Sequence, residues 1–182
     1  KIFPDYKANR LVRTKLNRTN SFADKEAEDQ NMKMQLGRLI QYLDNLPVQL
    51  LAPQNIEADD AIAYISKQVL TDSKIFIMSS DKDFIQLVDD RIAVWSPTKK
   101  KLYFKDDVME DYKLPAHNYL MYRTLTGDKS DNIPGIRGTG ITTLQKRLPI
   151  LFGDTPVTID NLIEECKDSK IKVMQTISES KE

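Results

Sequence analysis

Ile75-Phe76-Ile77-Met78 is apolar at every position and runs directly into Ser79-Ser80-Asp81-Lys82-Asp83-Phe84. An unbroken apolar run of strand length is the pattern of a parallel strand covered on both faces; a strand with one wet face alternates instead. Ligands of open parallel sheets collect beyond the carboxyl ends of the strands, which is where Asp81 and Asp83 fall. This one stretch therefore restricts both the fold class and the place to look for a site.

The flanking segments fit the same class. Asp24 is a plausible N-cap, and Ala27, Met34, Leu36, Leu39, Ile40 and Leu43 follow at near-helical spacing, which predicts a helix to about Asn45. Pro47 stops it, Val48–Leu51 reads as a short strand, and Ala58 to Leu70 reads as a second helix. A short helix through Val88 precedes a strand at Ile92–Trp95, a turn at Ser96–Lys100 and a further strand at Leu102–Phe104. Alternating strands and helices predict an α/β domain with a mostly parallel sheet flanked by helices over residues 1–104. Residues 105–182 show no strand pattern and read as helical.

Composition limits the chemistry. With 182 residues, 40% hydrophobic and 30% charged, the chain fits one domain or one with a small appendage. Its longest apolar runs are far too short to cross a bilayer, so no membrane partner is expected. The single cysteine, Cys166, forms no internal disulfide and agrees with a reducing, cytoplasmic compartment. With His117 the only histidine, a zinc site of the usual nitrogen and sulfur kind is excluded, so any metal is oxygen-ligated: magnesium, manganese or calcium. The formal net charge is zero, yet residues 1–20 hold Lys1, Lys7, Arg10, Arg13, Lys15 and Arg18 against Asp5 alone. A basic arm on an acidic body suits a protein that holds a polyanion while binding metal elsewhere. Residues 1–23 lack apolar periodicity and read as a loop or arm ordered by substrate.

Three acidic groups stand out. Glu57, Asp59 and Asp60 open the second helix; Asp81 and Asp83 follow the apolar strand; Asp128 and Asp131 precede a glycine-rich turn. Each taken alone is explained by capping and by the helix dipole. Taken together around one crevice, they would repel strongly without cations, and two divalent ions about 3.5–4 Å apart would neutralise them. The third group leads into Gly135-Ile136-Arg137-Gly138-Thr139-Gly140, a tight turn before a helix over Thr139–Leu148. Glycines there let the backbone approach a phosphate, and amides at the helix start donate to it. The ordinary alternative is a plain helix–turn–helix linker.

In this order and spacing, four blocks resemble the 5′-nuclease family: flap endonucleases, phage 5′–3′ exonucleases of the ribonuclease H type, and the 5′-nuclease domain of DNA polymerase I. They are Phe3-Pro4-Asp5-Tyr6-Lys7-Ala8-Asn9-Arg10, Glu57-Ala58-Asp59-Asp60, Ser80-Asp81-Lys82-Asp83-Phe84, and Gly127 through Gly140. Trp95-Ser96-Pro97 and the lysines after it look most like the phage branch, which implies a phage-encoded protein in a bacterial host or a bacterial one.

The resemblance implies a PIN-like domain followed by a helix–hairpin–helix DNA-binding element near 127–148, with residues 1–23 belonging to a helical arch. It implies Glu57, Asp59 and Asp60 on a first magnesium ion, with Asp81 shared, and Asp83, Asp128 and Asp131 on a second; manganese would substitute. Lys7, Arg10 and Arg123 would stand near the scissile phosphate, with Arg13 on the same DNA strand. Gly135, Arg137, Gly138, Thr139 and Gly140 would grip duplex, with a potassium ion on the hairpin carbonyls. Implied substrates are 5′ flaps, nicks and RNA–DNA primer junctions in replication and repair; a sliding clamp or a single-strand-binding protein is the kind of protein partner such work involves. In that family an opening strand and two further aspartates precede the Phe-Pro block, where this chain begins. The rival readings are a non-catalytic module that binds DNA structure and a PIN-type ribonuclease. The latter has no use for the hairpin.

Overall fold

In the computed structural model, residues 4–8 and 22–179 are described. The chain divides into two compact units, one of residues 12–58 and one of residues 1–11 together with 59–182.

The smaller unit contains helix α1 (Lys25–Leu43). Asp24 caps it by accepting from the Ala27 amide at 2.8 Å, as the sequence predicts. None of its residues is buried, and the apolar stripe of Met34, Leu36, Leu39 and Ile40 is exposed. Val48–Leu51 is not a strand. A strand needs a neighbouring ladder for its amides and carbonyls, and no described segment pairs with this one.

Helix α2 (Ala58–Tyr64), which from Asp59 onward belongs to the larger unit, widens into a π-helical turn over Ile65–Val69. The guanidinium of Arg91 closes that end by donating to the carbonyls of Ser66, Leu70 and Ser73. Strand β1 (Ile75–Met78) pairs in parallel with β2 (Ile92–Ser96), and β2 pairs antiparallel with β3 (Lys101–Tyr103). Among the described residues the sheet has the order β1-β2-β3, so it is mixed rather than mostly parallel. The antiparallel partner follows from the turn at Ser96–Lys100, which is too short for a crossover. The expectation for β1 also changes. Only Ile77 is buried, while Phe76 and Met78 are 61% and 75% exposed, because among the described residues only the face carrying Ile75 and Ile77 is covered.

The remainder is helical, as expected: α3 (Lys105–Tyr112), α4 (Tyr119–Thr126), α5 (Ile141–Arg147), α6 (Ile159–Cys166) and α7 (Lys172–Glu179). Two apolar clusters form. Ile77, Phe84, Ile85, Ile92, Val94, Tyr103, Val108 and Tyr119 pack between sheet and helices, and Leu125, Leu144, Leu148, Leu151, Leu162 and Ile177 pack among the later helices. Asn118, fully buried, connects them. Its amide donates to the carbonyls of Leu151, Gly153 and Thr155, and its oxygen accepts from the Val157 amide.

Candidate active site

Strand β1 ends at Met78, and the Ser79 amide continues the ladder by donating to the Trp95 carbonyl. The chain then turns on side chains of its own. The Ser79 hydroxyl accepts from the Asp81 amide, and the Asp81 carboxylate accepts from the Asp83 amide, capping a 3-10 turn over Lys82–Leu87. Phe84 and Ile85 anchor that turn in the core, which leaves Asp83 at its start, half exposed. Asp81 is thus a cap, as the ordinary reading allows, and also a charge beside Asp83.

Opposite lies the C-terminal end of α4. Arg123, one turn before the end, places its Nε 3.4 Å from Asp83 and another guanidinium nitrogen on Asp128, and it also donates to the Gly127 carbonyl. The second oxygen of Asp128 accepts from both the amide and the hydroxyl of Ser130. A bridge between Asp128 and Ile133 closes the loop. A cavity of about 370 Å³ is lined by Asp83, Arg123, Asp128 and Asp131 together with Tyr6, Gln86, Thr124 and Ile133.

The electrostatics differ between the two paired carboxyls. Partial burial pushes Asp83 up from the usual carboxylate range; Arg123 opposes this, while Asp81, Asp128 and Asp131 add to it. Burial also works against ionisation of Asp128, but the hydrogen bonds from Ser130 and the charge of Arg123 outweigh it and hold that carboxyl low. Like charges have been brought together and only partly compensated, an arrangement that favours a further cation. The donor set is all carboxylate oxygen, which fits a hard divalent ion. Among the described residues no group of three or more acidic, histidine or cysteine side chains is placed so that it could hold a metal ion. Arg123 stands between Asp83 and Asp128 instead.

The structure gathers Asp81, Asp83, Arg123, Asp128 and Asp131. Asp59 and Asp60 stand exposed in the first turn of α2 and do not line this cavity, and Glu57 belongs to the smaller unit. Arg10 and Arg13 lie outside the described residues, as does residues 9–21 of the expected arm. Lys7 is described: its amide donates to the Asp131 carbonyl at 2.9 Å, and its ammonium lies 4.6 Å from the Tyr6 ring centre. Sequence reading passed over Tyr6, Ser130 and Asn132. The Asp-x-Ser spacing of Asp128 and Ser130 was a usable signal, because short polar side chains two residues apart close such turns.

The glycine-rich turn differs from expectation in its reasons. A Cβ at Gly135 would lie 2.2 Å from the Thr126 backbone, and one at Gly127 would lie 2.3 Å from the Gly135 nitrogen. These two glycines let the chain cross itself closely, and Gly135 is exposed. Gly138 has φ +94°, a conformation that favours glycine, and Gly140 faces open space. Thr139 is buried; its hydroxyl donates to the Leu125 and Ile136 carbonyls and its amide to Ile136, so it pins the turn rather than facing a ligand. Arg137, Gly138 and Gly140 are exposed.

Residues 1–113 match the family described as "5'-3' exonuclease, N-terminal resolvase-like domain". The chain is 35% identical over 135 residues to a DNA polymerase I of Rhizobium leguminosarum, covering 73% of this chain and 13% of that protein. It is 31% identical over 144 residues to a 5'-3' exonuclease of Buchnera aphidicola, covering 79% of this chain and 45% of that one. Two solved structures share the fold at 23% identity. The T5 D15 protein co-crystallised with metal ions has a TM-score of 0.74 over 98% of this chain and 65% of its own. A complex of the bacteriophage T5 D15 flap endonuclease with DNA and metal ions has a TM-score of 0.71 over 97% of this chain and 62% of its own. The chain thus spans less than half of those sequence relatives and less than two thirds of those structures. With its carboxylates and Arg123 gathered at the end of β1 and most of its length matched, this chain belongs to the 5′–3′ exonuclease family, over that family's N-terminal resolvase-like domain.

Proposed function

We propose that this chain forms the catalytic part of a structure-specific 5′-nuclease that hydrolyses phosphodiester bonds near 5′ ends: flaps, nicks and RNA–DNA primer junctions. The observation that carries this reading is the cavity joining Tyr6, Asp83, Arg123, Asp128 and Asp131, residues far apart in sequence. Asp83, Asp128 and Asp131, with Asp81 beside them, would hold divalent metal, magnesium in the cell, and Asp59 and Asp60 would serve another ion. Bound there, such ions supply an activated water and stabilise the leaving oxygen. The T5 D15 structures with metal ions and with DNA support the assignment through their shared fold.

The chain's own residues do the rest. Arg123 offsets part of the repulsion between Asp83 and Asp128 and presents a cation to the scissile phosphate. Lys7, on the Asp131 carbonyl, holds the 5′ strand, with Arg10 and Arg13 following it. Arg137, Gly138 and Gly140, on the exposed side of the turn, contact duplex backbone and position it without reading its sequence, with a potassium ion on the turn's carbonyls. No described helix is long and apolar enough to cross a membrane, and we assign the work to the cytoplasm.

The test is cleavage of a 5′-flap DNA with and without Mg²⁺. Asp81→Asn should abolish cleavage while leaving duplex binding largely intact. Undiminished Mg²⁺-dependent cleavage by that variant would falsify the assignment.

A further inference from the structure

The turn that carries Lys7 is held from a distance. Lys7 has φ +58°, a left-handed conformation that a side chain with a Cβ adopts only when its surroundings enforce it. Two contacts reach it from the loop after Asp128. The Lys7 amide donates to the Asp131 carbonyl at 2.9 Å, and the Asn132 side-chain amide donates to the Asp5 carbonyl at 3.0 Å, across a sequence separation of 127 residues. Asn132 is itself left-handed, with φ +61°, which suits asparagine better than most residues. Backbone and side chain of adjacent loop residues thus grip both sides of the Tyr6–Lys7 step. Tyr6 lines the cavity, and the Lys7 ammonium lies over its ring.

We propose that Asn132 is a positioning residue: it fixes the Asp5–Lys7 turn on the Asp128–Asp131 loop, so that the Lys7 ammonium is set relative to Asp83 and Asp128 before substrate arrives. This rests on the reading of Lys7 as a phosphate-holding residue. A flexible lysine on an unanchored arm would have to be ordered in each binding event; an anchored one is already in place. The loop that presents the carboxylates therefore also sets the distance to the cation that faces the phosphate.

The test has two arms on the full chain. Asn132→Gly keeps the left-handed backbone and deletes only the amide; Asn132→Asp keeps the shape and loses the donor. In hydrogen–deuterium exchange without nucleic acid, both variants should speed exchange of the Lys7 and Ala8 amides by about tenfold, the effect of one net hydrogen bond, while the α4 and α5 amides hold their rates. Wild-type exchange at Lys7 and Ala8 in both variants overturns the proposal. In the second arm, Asn132→Gly should lower kcat on a 5′-flap DNA by about tenfold with KM nearly unchanged, and by nothing further in a Lys7→Ala background. A full-sized loss in that background means Asn132 acts without Lys7 and overturns the proposal. Absence of cleavage by the wild type, or no effect of Lys7→Ala, counts against the nuclease reading instead, and the exchange arm then decides the proposal alone.

Discussion

Arg123 sits between Asp83 and Asp128 and makes their closeness tolerable. Its position one turn before the Asp128 loop is visible in the sequence, but the direction of its side chain is not. Spacing places a residue on a helix face, and only packing selects the partners of a long guanidinium. Asp89 shows the same division between what spacing reveals and what it does not. An Asp-Asp pair before a strand is ordinary, yet Asp89 accepts from Lys67 and from the amides of Arg91 and Ile92. Burial works against its ionisation, and those partners outweigh it, so the carboxyl is held below its ordinary 3.8. A carboxyl with a lowered folded pKa stabilises the fold above its unfolded pKa, and that contribution is lost as pH falls through the folded value. Asp89→Asn should therefore lower the urea midpoint at neutral pH, with the gap to wild type closing as pH drops below 3.8. A gap that stays constant with pH would mean the charge of Asp89 contributes nothing.

Among the elements, the stretch from α4 through the glycine turn to α5 is legible in the sequence in outline, while the close crossing of its backbone is not. The glycines marked a turn correctly, but whether a glycine is needed for a ligand or for the chain's own crossing depends on tertiary neighbours that spacing does not contain. Gly135→Ala should destabilise by about 2–3 kcal/mol, because its Cβ meets backbone rather than a movable side chain. Gly140→Ala, with nothing within 4 Å, should cost less than about 1 kcal/mol, the cost of a poorer N-cap. Chemical denaturation separates the two; equal losses would contradict the crossing. The apolar run of β1 predicts burial on both faces, because every residue is apolar. The pattern does report β structure, but it cannot report whether both faces find partners among the described residues.

Across the molecule, the α/β character, the helical second half and the carboxylate loops could be read from periodicity and motif order. The mixed sheet and the tie between the two apolar clusters could not, since they depend on contacts distant in sequence. Asn118 is that tie, with its amide and oxygen shared among four backbone groups of residues 151–157. Asn118→Ala would leave the Leu151 carbonyl and the Val157 amide without this partner in a buried setting, and it should cost about 2 kcal/mol or more. Urea unfolding followed by Trp95 fluorescence, which reports on β2, and by a probe among the later helices should show the later helices melting earlier in the variant. Coincident, unshifted transitions would mean the tie carries little.

We propose that the cavity of Asp83, Arg123, Asp128 and Asp131 takes a divalent ion, with Arg123 balancing part of its charge. The direct check is calorimetric titration of Mn²⁺ into the purified protein, wild type beside Asp128→Asn and Arg123→Ala. The expected result is saturable binding by the wild type, affinity lower by about tenfold or more in Asp128→Asn, and equal or tighter binding in Arg123→Ala, where a competing cation is gone. Mn²⁺ affinity unchanged by Asp128→Asn would contradict it.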